Sequence, residues 1–151
     1  MSRYYQAGAV SGDPRRITCK FGKCCKPLPG EKIKGYITRG RGVTVHTYNC
    51  LYIQGCDQER LIDVRWDDRK TFNYPVKIEV TSENKKGLLA DISASISSEE
   101  ANISNASART LESNRAVITF ELEVSDLKHL RRVIRSIEKV KGVLKVSRLN
   151  P

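Results

Sequence analysis

No stretch of this 151-residue chain approaches the roughly 18 consecutive apolar residues that a membrane-spanning helix requires, so no membrane contact is expected. Residues 1–10 lack the basic-then-apolar pattern of a secretory signal, and no Gly-x4-Gly-Lys-Ser/Thr loop is present to cradle a nucleotide phosphate. Acidic residues are nearly missing from the first third. Residues 1–50 hold only Asp13 and Glu31 against ten Lys and Arg, a balance of +8, while residues 51–151 carry the remaining +2 of the net +10. Positive charge confined to one region is an electrostatic footprint for a polyanion, with RNA the usual candidate. Hydrophobic residues make up 39% of the chain and charged residues 29%, enough apolar content for packed cores and too much for a disordered chain. Five cysteines without a secretory signal point to a reducing, cytoplasmic setting, where clustered Cys means metal or redox chemistry more often than structural disulfides.

The second half reads as one α+β unit. Val76, Ile78 and Val80 alternate with Lys77, Glu79 and Thr81, the pattern of a half-buried strand. From Gly87 the period changes, and Leu88, Leu89, Ile92 and Ile96 are expected on one helical face. An extended run over residues 103–111, turn chemistry at 112–115 and a second alternation through Ile118, Phe120, Leu122 and Val124 follow. Ser125 or Asp126 can cap a helix whose apolar stripe is Leu127, Leu130, Ile134 and Ile137. Gly142 closes that region, and residues 143–148 form a last strand. The order βαββαβ is the ferredoxin-like, split-βαβ pattern.

The first half builds less. Residues 33–38 and 43–47 read as a hairpin turning at Arg39-Gly40-Arg41-Gly42, and residues 61–66 as one further strand. The polar run 67–70 marks a junction, which puts the boundary near Asn73: a first module over 1–72 (core 16–66) and a second over 73–151. Fewer than about seventy residues with few large apolar side chains usually need a staple. Cys24, Cys25, His46 and Cys50 supply three thiolates and an imidazole around one hairpin, a set that suits structural Zn²⁺. Spacing alone leaves the alternatives open: Cys19 or Cys56 in place of a doublet member, or five small buried thiols and a surface His. A Cys–His nucleophile pair is disfavoured, because no acidic orienter or oxyanion motif stands beside it.

These residues carry a resemblance. Phe21-Gly22-Lys23-Cys24-Cys25-Lys26-Pro27-Leu28-Pro29-Gly30-Glu31, continuing through Arg39-Gly40-Arg41-Gly42-Val43-Thr44-Val45-His46 to Cys50, resembles the zinc-finger (RIS) module of the long Rel/SpoT (p)ppGpp synthetase/hydrolases. Asn84-x-x-Gly87-Leu88-Leu89-Ala90-Asp91-Ile92, followed by Asn102-Ile103, is similar to the ACT-domain signature, and zinc finger then ACT domain is the order at that family's C-terminal end. Gly22 stands where Ala is usual, Glu31 where Asp is usual, and Asn84 and Lys86 depart from the usual Asp and Pro of the ACT turn.

The resemblance implies structural zinc on Cys24, Cys25, His46 and Cys50. It also implies a regulatory fragment, since the hydrolase of the family needs a His-Asp constellation and neither His46 nor His129 is followed by Asp. The chain itself is then not an enzyme, and a parent GTP pyrophosphokinase or (p)ppGpp pyrophosphohydrolase does its chemistry on other domains. Two roles follow as expectations. One is binding of ribosomal RNA and tRNA, with Lys32, Lys34, Arg39 and Arg41 flanking the hairpin, to relay starvation to the catalytic domains of the same parent chain. The alternative is allosteric amino-acid sensing at Asn84, Gly87, Leu88 and Leu89, with homodimerisation through the ACT half. There an amino-acid carboxylate is expected on the N–H groups of Gly87 and Leu88.

Overall fold

The computed structural model describes residues 5–7, 19–39, 42–66 and 73–149. It divides into two units, residues 1–72 with 150–151, and residues 73–149. The first unit contains β1 (Tyr5–Ala7), β2 (Cys19–Phe21), β3 (Ile33–Thr38), β4 (Gly42–Thr47), the one-turn helix α1 (Leu51–Gln54), a 3₁₀ turn (Gln58–Arg60), β5 (Leu61–Ile62) and β6 (Val64–Trp66). The hairpin β3–β4 is antiparallel with Ile37 opposite Val43, and β2 adds to β4 in parallel, giving the sheet order β2-β4-β3-β5.

The single strand expected over residues 61–66 is broken at Asp63. β5 pairs with β3, while β6 pairs in parallel with β1, so the chain leaves one sheet and enters another within two residues. Val43, Val45 and Val64 form the buried centre, with Phe21, Ile33, Ile62 and Trp66 packed around them. That centre leaves no room at Gly35, where a Cβ would lie 2.7 Å from Val64 Cγ1. With Leu28 and Ile53 the buried aliphatic side chains of this unit come to five among its described residues, a small core for the chain length, which is the condition under which a staple decides stability.

The second unit is β7 (Tyr74–Glu83), α2 (Leu88–Ser98), β8 (Asn102–Leu111), β9 (Arg115–Val124), α3 (Leu127–Glu138) and β10 (Val143–Leu149). Its sheet order is β10-β7-β9-β8, all antiparallel, the ferredoxin-like arrangement read from the periodicity. Strict alternation drives it. Val76, Ile78 and Val80 of β7 and Ile118, Phe120, Leu122 and Val124 of β9 are buried on one face, under Ile92 and Ile96 of α2 and Leu130, Val133 and Ile137 of α3. At about 1.5–3 kcal/mol per large apolar side chain, burial on this scale holds the unit without a staple.

Three expectations shift. Leu89 is 45% exposed and lies off the buried face; the stripe of α2 is Leu88, Ile92 and Ile96. On α3, Val133 takes the fully buried place expected of Ile134, which is half-buried, as is Leu127. Asn84, a residue type able to cap a helix, does not cap α2. The N-cap is Gly87 at φ +84°, a left-handed conformation that costs glycine little, and it brings no capping side chain. Asp126 does cap α3, its carboxylate accepting from the His129 N–H at 2.7 Å.

His129 is buried and was not singled out by sequence. Its Nδ1 accepts the Ser125 N–H at 3.0 Å, which leaves the proton on Nε2, and Nε2 donates to the Glu99 carbonyl at 2.6 Å. One imidazole thereby ties the end of α2 to the start of α3.

Candidate metal centre

Three segments of the first unit bring four donors to one point. After β2 the chain turns through residues 23–25, closed by the Lys26 N–H donating to the Gly22 carbonyl at 3.0 Å, with Lys26 at φ +43°. This turn is what lets two adjacent cysteines face the same side. β4 delivers His46, and Cys50 follows at the entrance to α1, where its carbonyl accepts from the Ile53 and Gln54 N–H groups.

The donor atoms of Cys24, Cys25, His46 and Cys50 all lie within 4.8 Å of one another. Cys24 Sγ is 3.2 Å from His46 Nδ1, 3.5 Å from Cys50 Sγ and 3.9 Å from Cys25 Sγ, and Cys25 Sγ is 3.6 Å from His46 Nδ1. A tetrahedron with ligands about 2.3 Å from its centre has edges of roughly 3.8 Å, so these separations fit one Cys₃His-bound ion. Cys56 is not part of the set: its Sγ donates to the Tyr52 carbonyl at 2.9 Å. Cys19 lies in β2.

The surroundings complete the site. The Thr47 N–H donates to Cys25 Sγ at 3.3 Å, a bond that favours a thiolate, and Tyr52 stacks on the His46 ring at 5.5 Å between centroids. Gly22 sits directly under that ring, where a Cβ would come within 2.6 Å of His46 Nδ1. The imidazole here fills the space of the Ala methyl expected from the resemblance. A cavity of ≈ 300 Å³ opens beside the cluster between Thr47, Asn49, Leu51 and Tyr52.

Proton affinities report the crowding. Burial pushes the Cys24 thiol up to about 12, reinforced by Cys50 and Cys25. Burial likewise raises Cys25. At Cys50 burial acts upward but is outweighed by the backbone N–H groups of Tyr52 and Ile53 and by bonds from Cys24 and Cys25, so its pKa falls. Burial lowers His46, keeping it neutral and able to donate a lone pair. The cluster thus favours one thiolate, at Cys50, and resists a second and third, and a divalent cation between the sulfurs reverses that penalty.

The other expected site residues scatter. Lys32 is exposed and, among the described residues, has no ion-pair partner. The Lys34 ammonium is bonded to Asp63 at 2.7 Å. Both line an open groove of ≈ 650 Å³ with Tyr48, Arg65 and Trp66. Arg39 is exposed at the end of the hairpin, and Arg41 lies outside the described residues. In the second unit the Leu88 side chain is buried and its N–H donates to the Lys85 carbonyl at 3.3 Å, so that donor is already engaged rather than open to a ligand carboxylate. Sequence reading passed over Tyr48, Leu51 and Tyr52, all largely exposed around the cluster and the groove. Large side chains within and directly after the His-x3-Cys pair, at Tyr48, Leu51 and Tyr52, were the available signal.

Residues 9–67 match the RelA/SpoT RIS domain, and residues 70–148, just over half of the chain, match the ACT domain. The chain belongs to the Rel/SpoT family, as a RIS–ACT regulatory region. It is 44% identical over 149 residues to a GTP pyrophosphokinase of Myxococcus xanthus, covering 99% of this chain and 20% of that protein. It is 36% identical over 143 residues to the bifunctional (p)ppGpp synthase/hydrolase RelA of Mycobacterium tuberculosis, covering 93% of this chain and 19% of that protein. A crystal structure of the ACT domain from a GTP pyrophosphokinase of Chlorobium tepidum aligns over 52% of this chain and all of that one, at 23% identity and a TM-score of 0.46. The chain thus spans about a fifth of the length of the curated relatives it matches. Among the described residues, no helix is long and apolar enough to cross a membrane.

Proposed function

We propose that this RIS–ACT region binds ribosomal RNA and tRNA and relays amino-acid starvation to the catalytic domains of a parent (p)ppGpp synthetase/hydrolase, with a structural zinc ion on Cys24, Cys25, His46 and Cys50. The observation that carries the reading is the coincidence of charge and cluster. The segment with ten cations against two acids is the same segment whose turn and hairpin the four donors tie together. A closed Cys₃His set leaves no coordination position for a substrate, so its role is to hold the hairpin in shape. Lys32 and Arg39 then flank the two ends of the fixed strand β3, where phosphate contacts release counterions and make affinity steeply salt-dependent.

The test is co-sedimentation of the 151-residue chain with ribosomes across a salt series. Lys32→Ala with Arg39→Ala is expected to reduce the bound fraction and flatten the salt dependence while metal content stays unchanged. Undiminished binding by that variant at every salt concentration rejects this surface as the RNA contact.

A further inference from the structure

The three sulfurs of the Cys₃His cluster differ in what can reach them. Cys25 is 5% exposed, and its Sγ accepts the Thr47 N–H at 3.3 Å. Cys50 is also buried, whereas Cys24 is half-buried. All three border the cavity of ≈ 300 Å³ beside the cluster, which Leu51 and Tyr52 also line. Leu51 is 82% exposed and Tyr52 61%, so that wall belongs to the surface and leaves the cavity open to small solutes. A solute entering it meets Cys24 as the most accessible thiol.

The chain then decides which thiol Cys24 can join. Cys24 Sγ lies 3.9 Å from Cys25 Sγ and 3.5 Å from Cys50 Sγ. Adjacent residues across a trans peptide have Cα atoms about 3.8 Å apart, shorter than the roughly 4.4–6.8 Å of an unstrained disulfide. No peptide bond among the described residues is cis, so a Cys24–Cys25 bridge would be strained. Cys50, 26 residues further on, carries no such restriction. Bonding it to Cys24 closes the sulfurs by about 1.5 Å, to the usual 2.05 Å or so.

We propose that Cys24 and Cys50 form a modification site, oxidised by a hydroperoxide to a disulfide that withdraws two of the four donors and frees the metal. The release step rests on the structural-zinc reading above; the pairing step does not. A bound divalent cation keeps its coordinating sulfurs deprotonated, the form this chemistry requires. The Cys24 sulfur attacks one peroxide oxygen: the S–O bond forms, the O–O bond breaks, and the departing oxygen takes a proton and leaves as water. The Cys50 sulfur then attacks the sulfenic sulfur of Cys24. The S–S bond forms, the S–O bond breaks, and a second water leaves with a second proton. Two electrons pass from the sulfur pair to the peroxide. Cys25 and His46 alone fall short of the four ligands of a structural zinc site. The first unit then loses its staple, while the second, which contains no cysteine, is untouched.

The experiment treats the zinc-loaded 151-residue chain with an equimolar amount of hydrogen peroxide. A chromogenic chelator follows zinc release. Alkylation of the remaining thiols and peptide mass spectrometry, with fragmentation to separate Cys24 from Cys25, map the disulfide. Zinc release and a Cys24–Cys50 link should appear together, one link per ion released, with Cys25 and Cys56 still alkylated. Dithiothreitol with added zinc should reverse both, and Cys56→Ala should behave as wild type. Zinc retained under peroxide overturns the proposal. So does zinc released with Cys24 oxidised to the sulfinic acid and no link, or with a link to Cys19, Cys25 or Cys56 instead. A chain that takes up no zinc overturns the metal reading. The pairing is then read on that chain as it stands: a Cys24–Cys50 link supports the oxidation site, and its absence overturns it.

Discussion

Replacing Cys50 by Ala removes one of four donors while leaving both sheets of the first unit untouched. Structural zinc in small modules binds with an apparent free energy of about 10–16 kcal/mol near neutral pH. Shared evenly, each of the four donors accounts for roughly 3–4 kcal/mol, so the variant should bind zinc about two to three orders of magnitude more weakly. The loss should also appear as unfolding of the first unit alone. Its buried aliphatic side chains are Val43, Val45 and Val64 with Leu28 and Ile53, whereas the second unit has two packed helices and four long strands of its own. Metal analysis of purified protein should find about one zinc per chain in wild type and a substoichiometric amount in Cys50→Ala. Competition with a chromogenic chelator gives the affinity ratio. Amide exchange should then show protection lost in residues 19–66 and kept in β7, β9 and α3. Cys56→Ala is the control, because that thiol bonds the Tyr52 carbonyl and stands outside the cluster, so it should keep wild-type zinc. Wild-type zinc affinity in Cys50→Ala, or its loss in Cys56→Ala, refutes the assignment.

Zinc affinity should rise with pH. Cys24, pushed up to about 12, and Cys25, also raised, both carry protons at neutral pH that the ion must displace, whereas His46 is lowered and already neutral. Cys50 is lowered from the ordinary thiol range and adds a third proton wherever it is still a thiol, so at least two protons leave per ion, about a hundredfold gain or more in affinity per pH unit around neutrality. A flat profile in buffered competition titrations would contradict that proton count. In the second unit, His129→Ala should strand the Glu99 carbonyl and the Ser125 N–H, at a cost of about 2 kcal/mol. For a unit of this size that lowers the thermal midpoint by roughly 10 °C, measurable by calorimetry; a shift below a degree or two would show the imidazole to be incidental.

What could be read from the residues alone divides along physical lines. The second unit was legible because its long strands bury one face, and a period of two cannot be satisfied by another register. Its helices were legible to within one residue. Leu88 and Leu89, or Val133 and Ile134, are adjacent apolar positions about 100° apart on the helix, and only contact with the sheet decides which one turns inward. The first unit was legible as an inventory more than as a shape. The four donors were countable, but their convergence depends on the turn at Lys26 and on a glycine that gives the His46 ring its space, neither of which leaves a periodic trace. The break at Asp63 was hidden for the same reason: strands of two and three residues are set by the partners they find, not by their own pattern.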